Sequence, residues 1–149
     1  MIVWDNGTKK QRVYEIWEDN FHDPVSYANF YFNEVYGKNE VLLNEEMSAD
    51  ENLVKGMLHL NPYTLHVKGQ PAEAKYIVGV ATDEEYRRQG VMRELLVKTF
   101  QELRSRGELF TYLMPADENY YLPFDFRFGM AQVEPVSYTH LTLPTNREV

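Results

Sequence analysis

The stretch VGVATDEEYRRQGVMRELL, residues 78–96, joins a short apolar run to an amphipathic helical pattern through a polar loop. The loop carries two adjacent arginines, Arg87 and Arg88, and one glycine, Gly90. Amide N–H groups at the start of a helix have no intrahelical acceptor, and the aligned peptide dipoles make that end positive. A strand that runs into a basic loop at a helix start is therefore a candidate site for a pyrophosphate.

The loop differs from the two common glycine-rich phosphate sites. It lacks the G-x-x-x-x-G-K-[ST] pattern, and its single glycine excludes G-x-G-x-x-G. Arg87 and Arg88 would donate charge-assisted hydrogen bonds to phosphate oxygens, and Gly90 would let the backbone approach closely. The alternative is a solvated basic first turn in which Gly90 serves packing only. The loop alone leaves both interpretations open.

Composition limits the class of protein. The chain has 149 residues, no cysteine and a formal net charge of −8, which predicts one domain without disulfides or thiolate metal sites. The negative charge argues against nucleic acid or an anionic membrane as a partner and favours cationic ligands. No apolar run approaches the roughly 18 residues of a membrane span. The N-terminus lacks a signal-peptide layout, so we expect a cytoplasmic protein.

The first half of the chain predicts one strand and two helices. MIVW at the N-terminus is a short strand, and Thr8 is the expected N-cap of a helix over residues 8–20. Asp23 and Pro24 are the expected N-cap and first residue of a second helix. One face of that helix, predicted to be buried, carries Tyr27, Phe30, Tyr31 and Val35, while Phe32 and Tyr36 fall off it.

The remainder predicts strands around one crossover helix. EVLLNEEM and NLVKGMLHLNPYTLHV form an expected hairpin, with a bulge or a sheet edge at Asn61-Pro62. AKYIVGVAT is an expected buried strand, residues 87–106 a helix, and ELFTYLMPA a fifth strand. DENYYLPFDFRFG reads as a short helix and turn, and MAQVE as another strand. The order predicts an α/β fold with a mixed sheet, antiparallel first and then a strand–helix–strand crossover.

The last fourteen residues, VSYTHLTLPTNREV, differ in register and composition from everything before them. They look like one reading frame of a transposon-type sequencing adapter. We therefore interpret residues 136–149 as an artefactual tail and residues 1–135 as a truncated domain. The alternative is a genuine edge strand with a polar end.

With the strand before it, the opening stretch resembles motif A of the GCN5-related N-acetyltransferases, the GNAT family. That motif reads R/Q-x-x-G-x-G/A, and Arg87-x-x-Gly90 matches it, whereas Met92 replaces the usual glycine or alanine. The resemblance implies a GNAT fold: a mostly antiparallel mixed sheet with flanking helices and a splayed fourth and fifth strand. The final strands of that sheet would be missing here.

Two stretches, YIVGVATDEEYRRQGVMRELL and TYLMPADENYYLPFDFRFG, resemble the N-terminal domain of the enhanced-intracellular-survival (Eis) type. The resemblance implies that the full-length protein carries further C-terminal domains and is a homo-oligomer.

The family resemblance implies acetyl-CoA as cosubstrate and no metal. The pyrophosphate would bind the loop and helix start, and the pantetheine arm would lie along the fourth strand, whose N–H near Val80 would polarise the thioester carbonyl. Asn119 would contact the CoA arm. The implied cofactor-binding residues are Val80, Thr82, Arg87, Arg88, Gln89, Gly90, Val91, Met92 and Asn119.

The resemblance also implies which residue is the general acid and where the acceptor amine would bind. Aligning the family's Y-x-x-F/L-G-F turn with YLPFDF makes Tyr121 the general acid for the departing thiolate, although Asp125 replaces the usual glycine. The acceptor cleft would lie between the first two helices and the sheet, and it would bind a cationic amine: an aminoglycoside, a polyamine or a lysine side chain. The implied substrate-binding residues are Trp17, Phe21, Phe30 and Tyr31.

Two points stay open at this stage. Glu45, Glu46 and His59 are candidates for the base that deprotonates the amine by strand position only, and a structural role is the alternative for each. The alternative for the whole chain is a catalytically inactive GNAT-fold fragment that binds acyl-CoA or a partner.

Overall fold

The structure, a computed structural model, describes residues 1–49 and 52–130. They belong to two units, one formed by Met1–Met114 and one that begins at Pro115. The first unit contains the sheet and the long helices, and the second contains short 3₁₀ turns. The predicted tail over 136–149, its boundary at residue 135 and all but the first residue of the predicted strand MAQVE lie outside the described residues.

The first unit is built on a five-stranded sheet in the order β1-β2-β3-β4-β5. The first four strands pair antiparallel, and β4 pairs parallel with β5 across the crossover helix. This confirms the predicted α/β fold and mixed sheet. The strands are β1 Ile2–Trp4, β2 Glu40–Met47, β3 Asn52–Val67, β4 Gln70–Thr82 and β5 Thr111–Tyr112.

Strands β3 and β4 extend beyond their outer neighbours. Pairing of β3 with β2 ends at Leu60, so the following residues of β3 pair only with β4. Pro62 therefore lies on a sheet edge, where its missing N–H costs no ladder bond. The alternative prediction of a bulge at Asn61-Pro62 is wrong, because the register from Leu60 to Val67 is regular.

Three α-helices flank the sheet: α1 Lys10–Phe21, α2 Val25–Phe30 and α3 Val91–Ser105. Both predicted side-chain caps are wrong. The hydroxyl of Thr8 donates to Asn6 Oδ1 (2.7 Å), and α1 begins after Lys9 without a side-chain cap. Pro24 is the N-cap of α2, while the Asp23 carboxylate accepts a hydrogen bond from Trp17 Nε1 (2.9 Å).

A π-helical turn over Tyr31–Val35 follows α2, and the predicted buried face is only partly correct: Tyr31 is buried as predicted, but Tyr27 and Phe30 are exposed. The amide of Tyr36 donates to the carbonyl of Tyr31 (2.9 Å), which is an i→i+5 bond. The extra residue in the turn rotates the following side chains. Phe32 and Tyr36 are consequently buried, whereas Tyr27 and Phe30 are exposed.

The sheet is covered on both faces. On one face α1 and the π turn pack against β2, β3 and β4 around Trp17 and Met57. On the other face α3 buries one stripe, as its spacing predicts: Val91, Leu95, Leu96, Thr99 and Leu103. The helix starts at Val91 rather than Arg87, because the loop before it contains a 3₁₀ turn and two left-handed residues.

Candidate active site

The loop between β4 and α3 is tied to helix α1. Its 3₁₀ turn, Glu84–Tyr86, is capped by Asp83, whose carboxylate accepts from the Glu85 amide (3.1 Å). The same carboxylate forms an ion pair with the guanidinium of Arg12 on α1. The loop therefore leaves β4 in a direction fixed by a second element.

The side chains of Arg87 and Gln89, both in this loop, donate hydrogen bonds only to uncharged acceptors among the described contacts. Arg87 donates through Nε to the carbonyl of Thr82 (3.5 Å) and through Nη2 to Asn20 Oδ1 (3.2 Å). Gln89 donates through Nε2 to the carbonyl of Glu85 (2.9 Å). Because neither partner of Arg87 is a carboxylate, its positive charge is oriented without being neutralised by these bonds.

Two left-handed residues precede the helix. Arg88 has φ +61° and Gly90 has φ +82°. A Cβ built on Gly90 meets nothing within 4 Å, so glycine is needed there for its backbone angle and not for packing. Gly90 is also the N-cap of α3 and offers no side-chain bond. Turns with left-handed residues can gather backbone N–H groups into anion-binding concavities, and here two such residues directly precede the positive end of α3, which has no side-chain cap.

The edge of β4 that leads into the loop is open toward β5. Pairing with β5 involves only Lys75 and Tyr76 within the described residues, so the later part of β4 has no β5 neighbour there. This is the splayed pair that the resemblance implies. It leaves Val80 and Thr82, the two predicted backbone positions, on a strand edge that an extended ligand could join.

A bulge in β4 lies at the same place and was not predicted. His59 pairs with Val78 and Met57 pairs with Ala81, so Gly79 and Val80 together face the single residue Leu58. Gly79 has φ +61°, and a Cβ there would lie 2.6 Å from Trp17 Cζ3 and 3.0 Å from His59 Cδ2. An isolated glycine inside a strand pattern was the available signal. Bulges redirect backbone groups out of the ladder, here at the residue predicted to polarise the thioester.

A buried polar cluster lies beneath the bulge. The Tyr31 hydroxyl is 3.0 Å from His59 Nδ1 and 3.3 Å from Asn61 Oδ1, and Asn39 Nδ2 donates to that same Oδ1 (2.9 Å). Burial lowers the pKa of His59 to about 3, so its ring is neutral at physiological pH. His59 is fully buried, and its Nε2 has no hydrogen-bond partner. An acceptor amine cannot reach it, which leaves His59 the structural role.

Glu45 and Glu46, the other two candidates for the base, are neighbours on β2. Glu45 is buried on β2, and Glu46 is exposed and forms an ion pair with Lys55 (3.5 Å).

The predicted substrate-binding residues divide into two groups. Trp17 and Tyr31 are buried and stack at 4.5 Å, while Phe21 packs edge-on against Trp17 at 4.9 Å and is 38% exposed. The structure thus brings these three together. Phe30 is 57% exposed and projects from the end of α2. Only Phe21 and Phe30 present enough surface to contact a ligand directly.

The second unit contains the predicted acid. Tyr121 is half-buried and packs edge-on against Phe126 at 5.8 Å, and Asp125 adopts φ +67° where the family has glycine. The neighbouring Tyr120 is 63% exposed. The Asn119 side chain donates to Asp117 Oδ1 (2.9 Å) within the same turn.

Residues 1–49 and 52–130 contain neither a candidate metal centre nor a helix that could span a membrane. No group of three or more His, Asp or Glu side chains in this part of the chain could hold a metal ion. Of the helices described, none combines the length and the apolar character needed to cross a bilayer.

Comparison with known families decides the assignment. The model described as "Acetyltransferase (GNAT) domain" matches residues 6–129. The chain belongs to the GNAT acetyltransferase family. The matched GNAT segment includes the β4 bulge, the left-handed loop and the turn with Tyr121. No curated protein sequence matches the chain.

Solved structures share this GNAT fold at low sequence identity. A predicted acetyltransferase from Clostridium acetobutylicum, solved with acetyl-CoA, has a TM-score of 0.72 at 14% identity, covering 91% of this chain and 96% of that one. An acetyltransferase from Trypanosoma brucei has a TM-score of 0.68 at 16% identity, covering 92% and 99%. An Enterococcus faecalis V583 protein described as a probable N-acyltransferase has a TM-score of 0.71 at 15% identity, with 83% of this chain spanning 31% of that one.

Proposed function

We propose that this GNAT domain transfers the acetyl group of acetyl-CoA to a primary amine that carries positive charge. One observation carries the proposal: the left-handed Arg88 and Gly90 open an uncapped helix directly after a strand edge that lacks its β5 neighbour. Such a loop suits a diphosphate, and such an edge suits an extended arm. The solved Clostridium relative, which contains acetyl-CoA, supports the choice of ligand.

In this proposal the loop holds the cofactor. The amides of Arg88–Met92 and the guanidinium groups of Arg87 and Arg88 would bind the diphosphate oxygens. The backbone of Val80 and Thr82 would bond to the amides of the pantetheine arm, and Asn119 would contact the same arm. Acetyl-CoA supplies a thioester whose carbonyl carbon is open to attack by an amine.

The chain's own groups would then promote the transfer. An amide N–H at Val80, redirected by the bulge, would hydrogen-bond the carbonyl oxygen as negative charge develops there, which is worth about 3 kcal/mol. The Tyr121 hydroxyl would give its proton to the departing sulfur. The acceptor nitrogen must first lose its own proton, because a free alkyl ammonium has a pKa of roughly 10.4.

The net charge of −8 favours a cationic acceptor by long-range attraction. Phe21 and Phe30 are the exposed aromatic residues that would contact this acceptor, and Trp17 and Tyr31 would support them from below. The similarity to Eis-type proteins, with further domains and a homo-oligomeric assembly, is part of the proposal and rests on the two quoted sequence stretches. The 31% coverage of the Enterococcus protein is compatible with such a longer architecture.

The test of catalysis is thiol release from acetyl-CoA in the presence of primary amines. Tyr121→Phe should lower kcat about 100-fold without changing acetyl-CoA affinity, because it removes the acid and keeps the ring. Tyr120→Phe is the matched control and should leave kcat unchanged, since Tyr120 is the neighbouring exposed phenol. Equal, measurable rates for the wild type and Tyr121→Phe would reject the acid assignment, whereas inactivity of the wild type with every amine would favour a binding module.

A further inference from the structure

Three tyrosines on neighbouring strands lie on one face of the sheet, and a fourth, on α2, contacts Tyr31 beside them. Tyr76 on β4 pairs with Tyr112 on β5, and their rings stack at 5.1 Å. Tyr63 on β3 packs edge-on against Tyr76 at 6.0 Å. Tyr27 on α2 lies 6.5 Å from the ring of Tyr31, whose hydroxyl bonds to Asn61, the β3 partner of Tyr76. We call Tyr27, Tyr63, Tyr76 and Tyr112 the tyrosine cluster.

The tyrosine cluster is open to solvent at one side and carries one carboxylate beside it. Tyr27 is 46% and Tyr63 is 49% exposed, whereas Tyr76 and Tyr112 are half-buried. Burial raises the pKa of Tyr27, and the nearby Asp23 charge and the Tyr63 phenol raise it further. Asp23 is held in place by the indole N–H of Trp17 (2.9 Å). The cluster therefore offers neutral ring faces next to a fixed negative charge.

Neighbouring phenols of the tyrosine cluster also affect the pKa of Tyr76. Burial raises the pKa of Tyr76, with smaller contributions from Tyr112, Tyr27 and Tyr63. Ring contacts join Tyr63, Tyr76 and Tyr112, whereas Tyr27 contacts Tyr31 and is related to Tyr63 and Tyr76 by electrostatic interaction. Ring faces carry negative potential and attract ammonium groups, and the attraction grows when the site is partly desolvated.

The position of the cluster relates it to the proposed transfer site. Tyr76 is the last β4 residue that pairs with β5 within the described residues, and Gly79 of the bulge lies three residues further along the strand. At about 3.3 Å per residue, the two positions are separated by about 10 Å. An acceptor molecule could therefore reach from the bulge to the cluster.

We propose that the tyrosine cluster and Asp23 bind a second ammonium group of the acceptor, one that stays protonated while the other nitrogen reacts. The acceptor is then a diamine or polyamine with nitrogens about 10 Å apart along an extended chain. This inference rests on the proposed function, since it assumes transfer near the bulge. It resolves a chemical conflict: the attacking nitrogen must be neutral, so recognition by charge requires a different nitrogen on the same molecule.

Direct binding provides the test and does not depend on turnover. Octane diamine and octylamine share one carbon chain and differ in the second ammonium group. Calorimetric titration of the 149-residue chain with each, in the presence of CoA, should show about tenfold tighter binding of the diamine, the combined effect expected of two ring faces and one carboxylate.

Substitutions then assign the preference to the cluster. Tyr63→Leu and Tyr27→Leu should each reduce the preference about threefold, whereas Tyr63→Phe, which keeps the ring face, should retain it. Asp23→Asn should also reduce it, while its amide oxygen can still accept from Trp17. Circular dichroism of each variant checks that the fold is kept.

Equal affinity for the two amines, or no binding of either, would overturn the inference. A preference that Tyr27→Leu, Tyr63→Leu and Asp23→Asn all leave unchanged would also overturn it. Tighter diamine binding that depends on the cluster, without any acetylation of the diamine, would uphold the cluster as a cation site and reject the proposed function. The two proposals therefore fail separately.

Discussion

Gly79 and Gly90 both have left-handed backbone angles, but their surroundings are opposite. A Cβ on Gly79 would lie 2.6 Å from the Trp17 ring, while a Cβ on Gly90 would meet nothing within 4 Å. The rings of Trp17 and the buried His59, whose centroids are 5.4 Å apart, together fill the space into which a side chain at Gly79 would point. The loop at Gly90 is exposed and is set by its own backbone angles. The difference separates a closely packed part of β4 from an exposed turn, which is the turn that we propose binds the diphosphate.

The largest effect should come from filling the bulge. Gly79→Ala should destabilise the fold by about 3 kcal/mol, since a left-handed alanine costs roughly 1–2 kcal/mol and overpacking against Trp17 adds a similar amount. Urea unfolding followed by tryptophan fluorescence measures this. A loss below about 1 kcal/mol would show that the bulge adjusts to an added methyl group, and Gly79 would then not differ from Gly90 in this respect.

The second-largest effect should be a loss of folding stability in acid, caused by the buried His59 beneath the bulge. The folded pKa of His59 is about 3 and lies below the ordinary value near 6.5, so the unfolded chain binds a proton that the folded chain excludes. The free energy of unfolding is therefore at its full value above pH 6.5 as far as His59 is concerned. Below pH 6.5 it falls by about 1.4 kcal/mol per pH unit, which amounts to a loss of roughly 2 kcal/mol at pH 5. The phenols of Tyr31 and Tyr36 that face His59 stay neutral in this range, because burial raises the pKa of both.

Nitrogen NMR of the imidazole rings provides the direct check. The His59 ring should remain neutral at pH 5, and a His59→Asn variant should show a shallower loss of stability between pH 7 and pH 5. A His59 ring that titrates near pH 6.5 would mean that the cluster beneath the bulge admits water.

Gly90→Ala is the matched counterpart of Gly79→Ala. It should cost only about 1 kcal/mol, because the left-handed angle is strained for alanine but no atom stands in the way. The same urea experiment applies. If Gly79→Ala and Gly90→Ala lowered the free energy of unfolding equally, the close packing around Gly79 would add no cost, and the contrast between the two glycines would be wrong.

The smallest effect is expected at Arg88. Arg88→Gly should change the unfolding free energy by less than about 0.5 kcal/mol, since relief of the left-handed angle offsets the extra entropy of glycine in the unfolded chain. A loss above about 2 kcal/mol would show that the Arg88 side chain is a packing element and not an exposed ligand contact.

The sequence predicts best those features that local spacing determines. The buried stripe of α3 follows from periodicity, and the change from antiparallel strands to a strand–helix–strand crossover follows from the turn positions; both are confirmed. The loop was located from Arg87 and Gly90, although the helix proved to begin at Val91. The start moved because the left-handed Arg88, a backbone state that arginine disfavours, is imposed by the surrounding fold.

Features that depend on distant residues were missed. The π turn at Tyr31 changes which aromatics are buried, and it is the packing of Phe32 and Tyr36 against α1 and the sheet that selects it. The polar cluster joins Asn39, His59 and Asn61, none of which forms a motif in the sequence. The tyrosine cluster draws on four elements. Only the β4 bulge had a local signal, the single glycine within an apolar strand.

Calorimetric titration with acetyl-CoA tests the central claim most directly. The wild-type chain should bind with a one-to-one stoichiometry, and Gly90→Ala and Arg87→Ala should each weaken binding about tenfold or more, in line with the loss of one charge-assisted contact. Tyr120→Phe should bind as the wild type does. Absence of saturable binding by the folded wild-type chain, or wild-type affinity in both Gly90→Ala and Arg87→Ala, would contradict the account.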